Sequence, residues 1–136
     1  MSDLQNFLNE NLVNGLTDEV AISPRFKDKE GKLLKFKIKA LTGSELESIR
    51  NKCMNIGKKG KVDFNTQLFN ASLVIEHTIE PSFKDAESLK KVGAINPENY
   101  LNKVLLSGEI ATLAEEIQKL SGFNVEMDSL VEEAKN

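Results

Sequence analysis

The chain is poor in the residues from which cross-links, metal sites and active sites are usually built. Its 136 residues include one Cys, one His and no Trp. A single Cys excludes an intramolecular disulfide and a zinc site built from cysteines. No apolar run approaches the roughly 20 residues that a membrane-spanning helix needs. Residues 1–13 carry acidic and amide side chains where a secretory signal carries basic ones, so we expect neither export nor a membrane location.

The residues that could perform catalysis are too few and too scattered. Cys53 and His77 fall on separate predicted helices, and Cys53 lies on an apolar stripe. We therefore expect a buried Cys53, and a His77 that lies on the surface or caps a helix end. Neighbouring carboxylates such as Glu115 and Glu116 point about 100° apart on a helix, which is typical of a solvated face. The sequence predicts no enzyme, no cofactor and no metal site.

The composition is that of an ordinary soluble globular protein, with 40% hydrophobic and 29% charged residues. The length predicts one domain over residues 1–136. Ser2 is the expected N-cap of a helix in segment 1–14, whose apolar residues Leu4, Phe7 and Leu8 share one face. A helix this short is marginal in water, so it must dock or fray.

A β-hairpin is predicted over residues 16–41, with strands at 19–26 and 33–41 and a turn ending at Gly31. In the second strand apolar and cationic residues alternate, so one face is apolar and the other is basic. Lysines of this kind are typical of a sheet edge. The apolar face, with Phe36 and Ile38, is expected to dock the hairpin on the helices.

A helical bundle is predicted over residues 42–123. Thr42 and Glu45 form a capping box, and Asp63 is the expected N-cap of the next helix. Three short helices follow, separated at Gly93 and at 107–108. The predicted fold class is mainly α (α+β): a compact bundle of short helices with one antiparallel β-hairpin near the N-terminus. The predicted core residues are Phe36, Ile38, Leu68, Ile75, Leu105, Ile110, Leu113 and Ile117.

Charge is distributed unevenly although the net charge is only −3. Residues 25–39 hold seven basic side chains against two acidic ones, whereas residues 109–136 hold seven acidic against two basic ones. The imbalance indicates complementary packing, either within one molecule or between copies. Residues 124–136 form an acidic tail. The candidate partner-binding residues are Lys35, Lys37, Lys39, Glu126, Glu132 and Glu133.

Several consecutive segments resemble a known family. They are LTGSELESIR after the lysine-rich strand, a GKKGK loop, PSFKD, and NPENYLNKVLLSGEIATLAEEIQKLSGF. This order resembles the XkdN-like phage tail assembly chaperones of Gram-positive bacteria and their prophages, most specifically at 81–85 and 105–117. The resemblance implies a non-enzymatic protein that binds the tape-measure protein and helps to recruit tail-tube subunits. It also implies action in the cytoplasm of the bacterial host and absence from the mature virion.

Two questions stay open at this level. Self-association is compatible with the charge pattern. The lysine-rich hairpin also allows an alternative, a small nucleic-acid-binding regulatory protein, although nucleic-acid binding is not the expected role. Stacking on single-stranded bases needs aromatic side chains beside the cations, and Phe36 alternates to the opposite face of its strand.

Overall fold

The computed structural model describes residues 1–57 and 60–123, and within these ranges the fold is mainly helical with two small antiparallel sheets. The predicted fold class is thus confirmed. In chain order the elements are α1 (Asp3–Glu10), a 3-10 turn (Val13–Gly15), β1 (Thr17–Val20), β2 (Phe36–Lys39), α2 (Gly43–Cys53), β3 (Met54–Ile56), β4 (Val62–Phe64), α3 (Thr66–His77), β5 (Thr78–Glu80), α4 (Ala86–Lys91), α5 (Pro97–Val104) and α6 (Ser107–Leu120).

Most helix starts follow the capping chemistry read from the sequence. The Ser2 hydroxyl accepts a hydrogen bond from the Gln5 amide at 3.0 Å, and Thr42 opens α2 with the full capping box. Asn96 caps α5, with Pro97 at the first helical position. Gly93, with φ of 72°, follows α4 in the left-handed conformation that glycine adopts without strain.

Two predicted boundaries are wrong. Asp63 does not cap α3, because it lies inside β4; Asn65 is the cap and accepts from the Leu68 amide at 3.0 Å. The break between α5 and α6 lies at 105–106 and not at 107–108. The Glu109 carboxylate accepts from the Leu106 amide at 2.8 Å, which starts α6 before the predicted break.

The predicted hairpin is present, but its regular pairing is shorter than expected. β1 pairs with β2 from Thr17 opposite Lys39 to Val20 opposite Phe36. Residues 21–35 form a long connection instead of a continuous ladder. Within it the Leu34 amide donates to the Phe26 carbonyl at 2.8 Å, and the predicted turn ends at Gly31 with φ of 85°.

The lysine-bearing strand is central and not an edge, so that prediction is wrong. The prediction ran the helix that starts near residue 63 on to about residue 78, and it placed no strand at residues 78–80. These residues form β5, which pairs with the free side of β2. A second unpredicted pairing joins β3 to β4, where the sequence indicated the end of a helix and a polar loop. Short strands between helices lack the length for a clear alternating pattern, and tertiary pairing decides them.

The core lies where α3, α6 and the apolar face of β2 meet, with α2 and α5 at its sides. Of the predicted core residues, those buried are Phe36, Ile38, Leu105, Leu113 and Ile117. Leu68, Ile75 and Ile110 are only partly buried and pack against the margin of this core. Leu73, Leu101 and Phe83 are buried as well.

Leu113 provides a test of this core. Its side chain is completely buried on α6. Leu113→Ala leaves a cavity there, and we expect it to lower the free energy of unfolding by about 2–5 kcal/mol. Ile95→Ala is the matched control, because Ile95 is 85% exposed; a change within about 0.5 kcal/mol is expected there. Urea unfolding measures both, and a loss below about 0.5 kcal/mol for Leu113→Ala would contradict the assigned core.

Candidate partner-binding surfaces

Helix α1 presents an apolar face to solvent. Its residues Leu4, Phe7 and Leu8 are 68%, 59% and 53% exposed, and α1 has no buried residue; Leu12, two residues after the helix, is 70% exposed. The spacing of Leu4, Phe7 and Leu8 aligns their side chains along one stripe, as in helices that pack against another surface. Leu16, just before β1, is also exposed. We call residues 1–16 the apolar arm.

An apolar groove lies at the opposite end of β2 from the arm. Its cavity volume is about 350 Å³. Side chains from the long β1–β2 connection, β2, β5 and α5 form its walls. The lining residues are Phe26, Leu34, Lys35, Phe36, Glu80, Pro81, Phe83, Tyr100, Val104 and Leu105. Two aromatic contacts lie among these residues: Phe26 is edge-on to Phe36 at 5.1 Å, and Phe83 is tilted against Tyr100 at 6.1 Å, between ring centroids. We call this cavity the aromatic groove.

An ion pair holds one wall of the aromatic groove in place. The Arg25 guanidinium donates to both carboxylate oxygens of Glu109, at 2.7 and 3.0 Å, and to the Val104 carbonyl at 2.9 Å. It also lies 4.5 Å from the centre of the Phe26 ring. One side chain of the β1–β2 connection thereby fixes the end of α5 and the start of α6. Sequence reasoning missed this contact because its partners lie 84 residues apart with no shared motif.

The hydrogen bond from Arg25 lowers the pKa of Glu109 to about 2 from the ordinary 4.5, against the opposing effect of burial. A carboxyl with a depressed folded pKa stabilises the fold above its unfolded pKa. That contribution is lost as the pH falls from about 4.5 towards 2.

Glu109→Gln tests this ion pair. At neutral pH we expect the free energy of unfolding to fall by about 1–3 kcal/mol, because a charged hydrogen-bond acceptor is removed. The difference in free energy of unfolding between wild type and Glu109→Gln is expected to become smaller as the pH falls below about 4.5. Glu76→Gln is the control, since the Glu76–Lys84 pair is about half exposed; a change of at most about 0.5 kcal/mol is expected. Urea unfolding at a series of pH values measures all three proteins, and a pH-independent gap would contradict the assignment.

The three candidate lysines, Lys37 and Lys39 of β2 and Lys35 just before it, do not form one continuous exposed basic face. Lys35 is exposed and lines the aromatic groove, whereas Lys37 and Lys39 are half-buried. Lys37 stands between Glu19 of β1 and Glu80 of β5 in the strand register. Acidic neighbours on both sides reduce the positive potential that a polyanion would meet. The partner-binding role of these lysines stays a prediction, and Glu126, Glu132 and Glu133 lie outside the described residues.

His77 is buried, so the expectation of a surface or capping histidine is wrong. Its side chain is 2% exposed because α3 runs directly into β5, whose pairing with β2 draws this end of the helix against the sheet. Burial lowers the pKa of His77, with the nearby Glu45 carboxylate acting in the opposite direction. Nε2 lies 4.0 Å from a Glu45 oxygen. Around it lies a polar cleft of about 370 Å³ whose lining includes Lys39 and Lys52 as well as Glu45 and Glu76.

The three predicted core residues at the margin each border a surface cleft. Leu68 and Ile75 line a cavity of about 410 Å³ between α3 and the start of α5. Ile110 lines one of about 220 Å³ between α3 and α6. Their apolar spacing therefore correctly places them on the inner half of a helix, but the neighbouring elements cover them incompletely.

Cys53 is buried with 1% of its surface exposed, and burial raises the pKa of its thiol. Within residues 1–57 and 60–123, no group of three or more His, Cys, Asp or Glu side chains is arranged to hold a metal ion. Over the same residues, no helix has the length and apolar composition needed to cross a membrane.

An alternative to the non-enzymatic prediction is an enzyme that uses Cys53 or His77, and a Cys53 nucleophile would need an accessible thiol, so its reactivity is a direct test. The native protein is expected to react with a thiol reagent at least about 100-fold more slowly than the urea-unfolded protein. Absorbance of the released chromophore measures both rates. Equal rates in the two states would contradict a buried, protonated Cys53.

The fold and its surfaces define a small α+β protein that leaves an apolar helix and an apolar groove open to other molecules. Comparison with known proteins specifies its family. The model of a family described as "Phage XkdN-like tail assembly chaperone protein, TAC" matches residues 4–135. The chain belongs to this family.

Two relatives come from Bacillus subtilis (strain 168). The Phage-like element PBSX protein XkdN is 32% identical over 139 residues, covering 98% of this chain and 94% of XkdN. The protein YqbN, described as uncharacterized, is 32% identical over 139 residues, covering 98% of this chain and 93% of YqbN. The crystal structure of YqbN matches with a TM-score of 0.70 at 27% identity, covering 91% of this chain and 99% of that chain. The predicted resemblance is therefore confirmed, and the chain is a phage tail assembly chaperone by family.

Proposed function

We propose that this chaperone acts without catalysis by binding the tape-measure protein and helping to bring tail-tube subunits to it. It works in the cytoplasm of the bacterial host and does not remain in the mature virion. The observation that carries this proposal is the apolar arm, whose leucines and phenylalanine lie in solvent. An amphipathic helix that the fold leaves uncovered is suited to receive another amphipathic helix.

The arm fits a partner of low sequence specificity. Leu4, Phe7 and Leu8 offer apolar area without a polar group that would need a matched hydrogen bond. Such a surface accepts many apolar helical stripes, as a chaperone of a long helical protein requires. The acidic residues Asp3 and Glu10 on the same helix favour partner helices with basic flanks.

Co-expression provides the test. The tape-measure protein of the phage that encodes this chain is expressed with wild type, with the arm variant Phe7→Ser/Leu8→Ser, or with the control Ile95→Ser. All three positions are exposed, so each variant is expected to keep its stability within about 0.5 kcal/mol. We expect the arm variant to lower the soluble tape-measure fraction and to weaken co-purification at least about tenfold. The control is expected to behave as wild type.

Two results would contradict the proposal. If wild type neither co-purifies with the tape-measure protein nor keeps it soluble, the chaperone role towards that partner is wrong. If the arm variant performs as well as Ile95→Ser, the arm is not the binding surface. Recruitment of the tail tube is measured in the same system by adding the tail-tube subunit and asking whether it joins the complex only when the chaperone is present.

A further inference from the structure

We propose that the apolar arm of one copy of this chain docks into the aromatic groove of a second copy. Both surfaces are apolar and open, and they carry opposite charge. The inference concerns the chain alone and does not depend on which phage protein it serves.

The arm and the strand that follows it are acidic. Residues 1–20 contain Asp3, Glu10, Asp18 and Glu19, and the first Lys or Arg of the chain is Arg25. Two of these carboxylates, Asp3 and Glu10, lie on α1 beside the exposed apolar stripe. The arm therefore presents an apolar strip with negative flanks to its surroundings.

The aromatic groove has a basic surround. Lys35 lines it directly, and Phe26 and Leu34 lead into the β1–β2 turn, which carries Lys27, Lys29 and Lys32. The Asp28 carboxylate in this turn already accepts hydrogen bonds from the backbone amides of residues 30 and 32, which partly offset its negative charge. Glu80 on the groove wall and Glu30 in the turn are the other acidic residues, so the four lysines outnumber the three carboxylates. Leu34, 49% exposed, extends the apolar lining towards the turn.

The strand register separates the two surfaces within one molecule. The Ala40 amide donates to the Leu16 carbonyl at 2.9 Å, and Thr17 stands opposite Lys39, so the arm leaves the sheet at that end of β2. The aromatic groove lies at the other end, beside Phe36. In the structure the arm's apolar side chains remain in solvent while the groove of the same chain is open. A second copy brings the two surfaces together without rearranging the fold.

The shapes suit a helix lying in a groove. Within α1, Leu4, Phe7 and Leu8 stand at positions i, i+3 and i+4, the spacing of anchors in this mode of recognition. Aromatic side chains such as Phe26 and Tyr100 supply walls of large apolar area.

Complementation between two variants tests this pairing. The arm variant is Phe7→Ser/Leu8→Ser and the groove variant is Leu34→Glu/Lys35→Glu, all at exposed positions. Ile95→Ser is the control. Sedimentation velocity of the purified chain, over a concentration series up to about 100 μM, measures the oligomeric state. Circular dichroism confirms that each variant is folded.

We expect wild type and Ile95→Ser to associate as concentration rises, and each docking variant alone to associate at least about tenfold more weakly. An equimolar mixture of the two variants is expected to form a 1:1 complex, because the groove of the arm variant and the arm of the groove variant are both intact.

Three outcomes would overturn the proposal. Wild type that stays monomeric across the series has no such contact. A groove variant that associates as wild type does indicates that arms pair with arms. A mixture of folded variants that remains monomeric shows that arm and groove do not meet. No phage partner is present in the experiment, so failure here leaves the proposed chaperone role standing, and failure of that role leaves this result standing.

Discussion

The hydrophobic core of the described residues is complete without helix α1. The apolar side chains of α1 therefore remain on the surface. Helices α3 and α6 and the apolar face of β2 bury one another completely at Leu73, Leu113 and Ile38. The leucines of α1 take no part in that cluster. Burying an apolar side chain stabilises a protein by about 1.5–3 kcal/mol, so a helix with several exposed ones gains strongly from any partner that covers them. The proposed chaperone role rests on these exposed apolar side chains.

A second constraint keeps the groove open. Arg25 reaches from the β1–β2 connection to Glu109 and to the end of α5, so that three distant segments are fixed by one side chain. Within this ion pair the Glu109 side chain is only 6% exposed to solvent. Tethering the connection this way positions Phe26 against Phe36 and leaves the space beside them unfilled. Rigid walls lower the entropy that a docking helix would otherwise lose on ordering them.

Local chemistry predicted more of the fold than long-range pairing did. Caps at Ser2, Thr42 and Asn96 follow from side chains that bond amides two or three residues away, so sequence is sufficient for them. The strand β5 and the burial of His77 were missed because both depend on pairing with β2, about 40 residues earlier. The groove and the Arg25–Glu109 pair likewise combine distant segments. The family, in contrast, was recognised from motifs that are structural, and these motifs give no partner-facing residue.

Hydrogen–deuterium exchange of the chaperone, alone and in complex with the tape-measure protein, tests the central claim most directly. In the free chain, at a concentration below the range in which it self-associates, the amides of Asp3–Glu10 are expected to exchange fast, since an exposed short helix opens readily. In the complex they are expected to slow by at least about tenfold, while the amides of β2 remain as protected as before. Unchanged exchange in α1, with protection appearing elsewhere on the surface, would contradict the account.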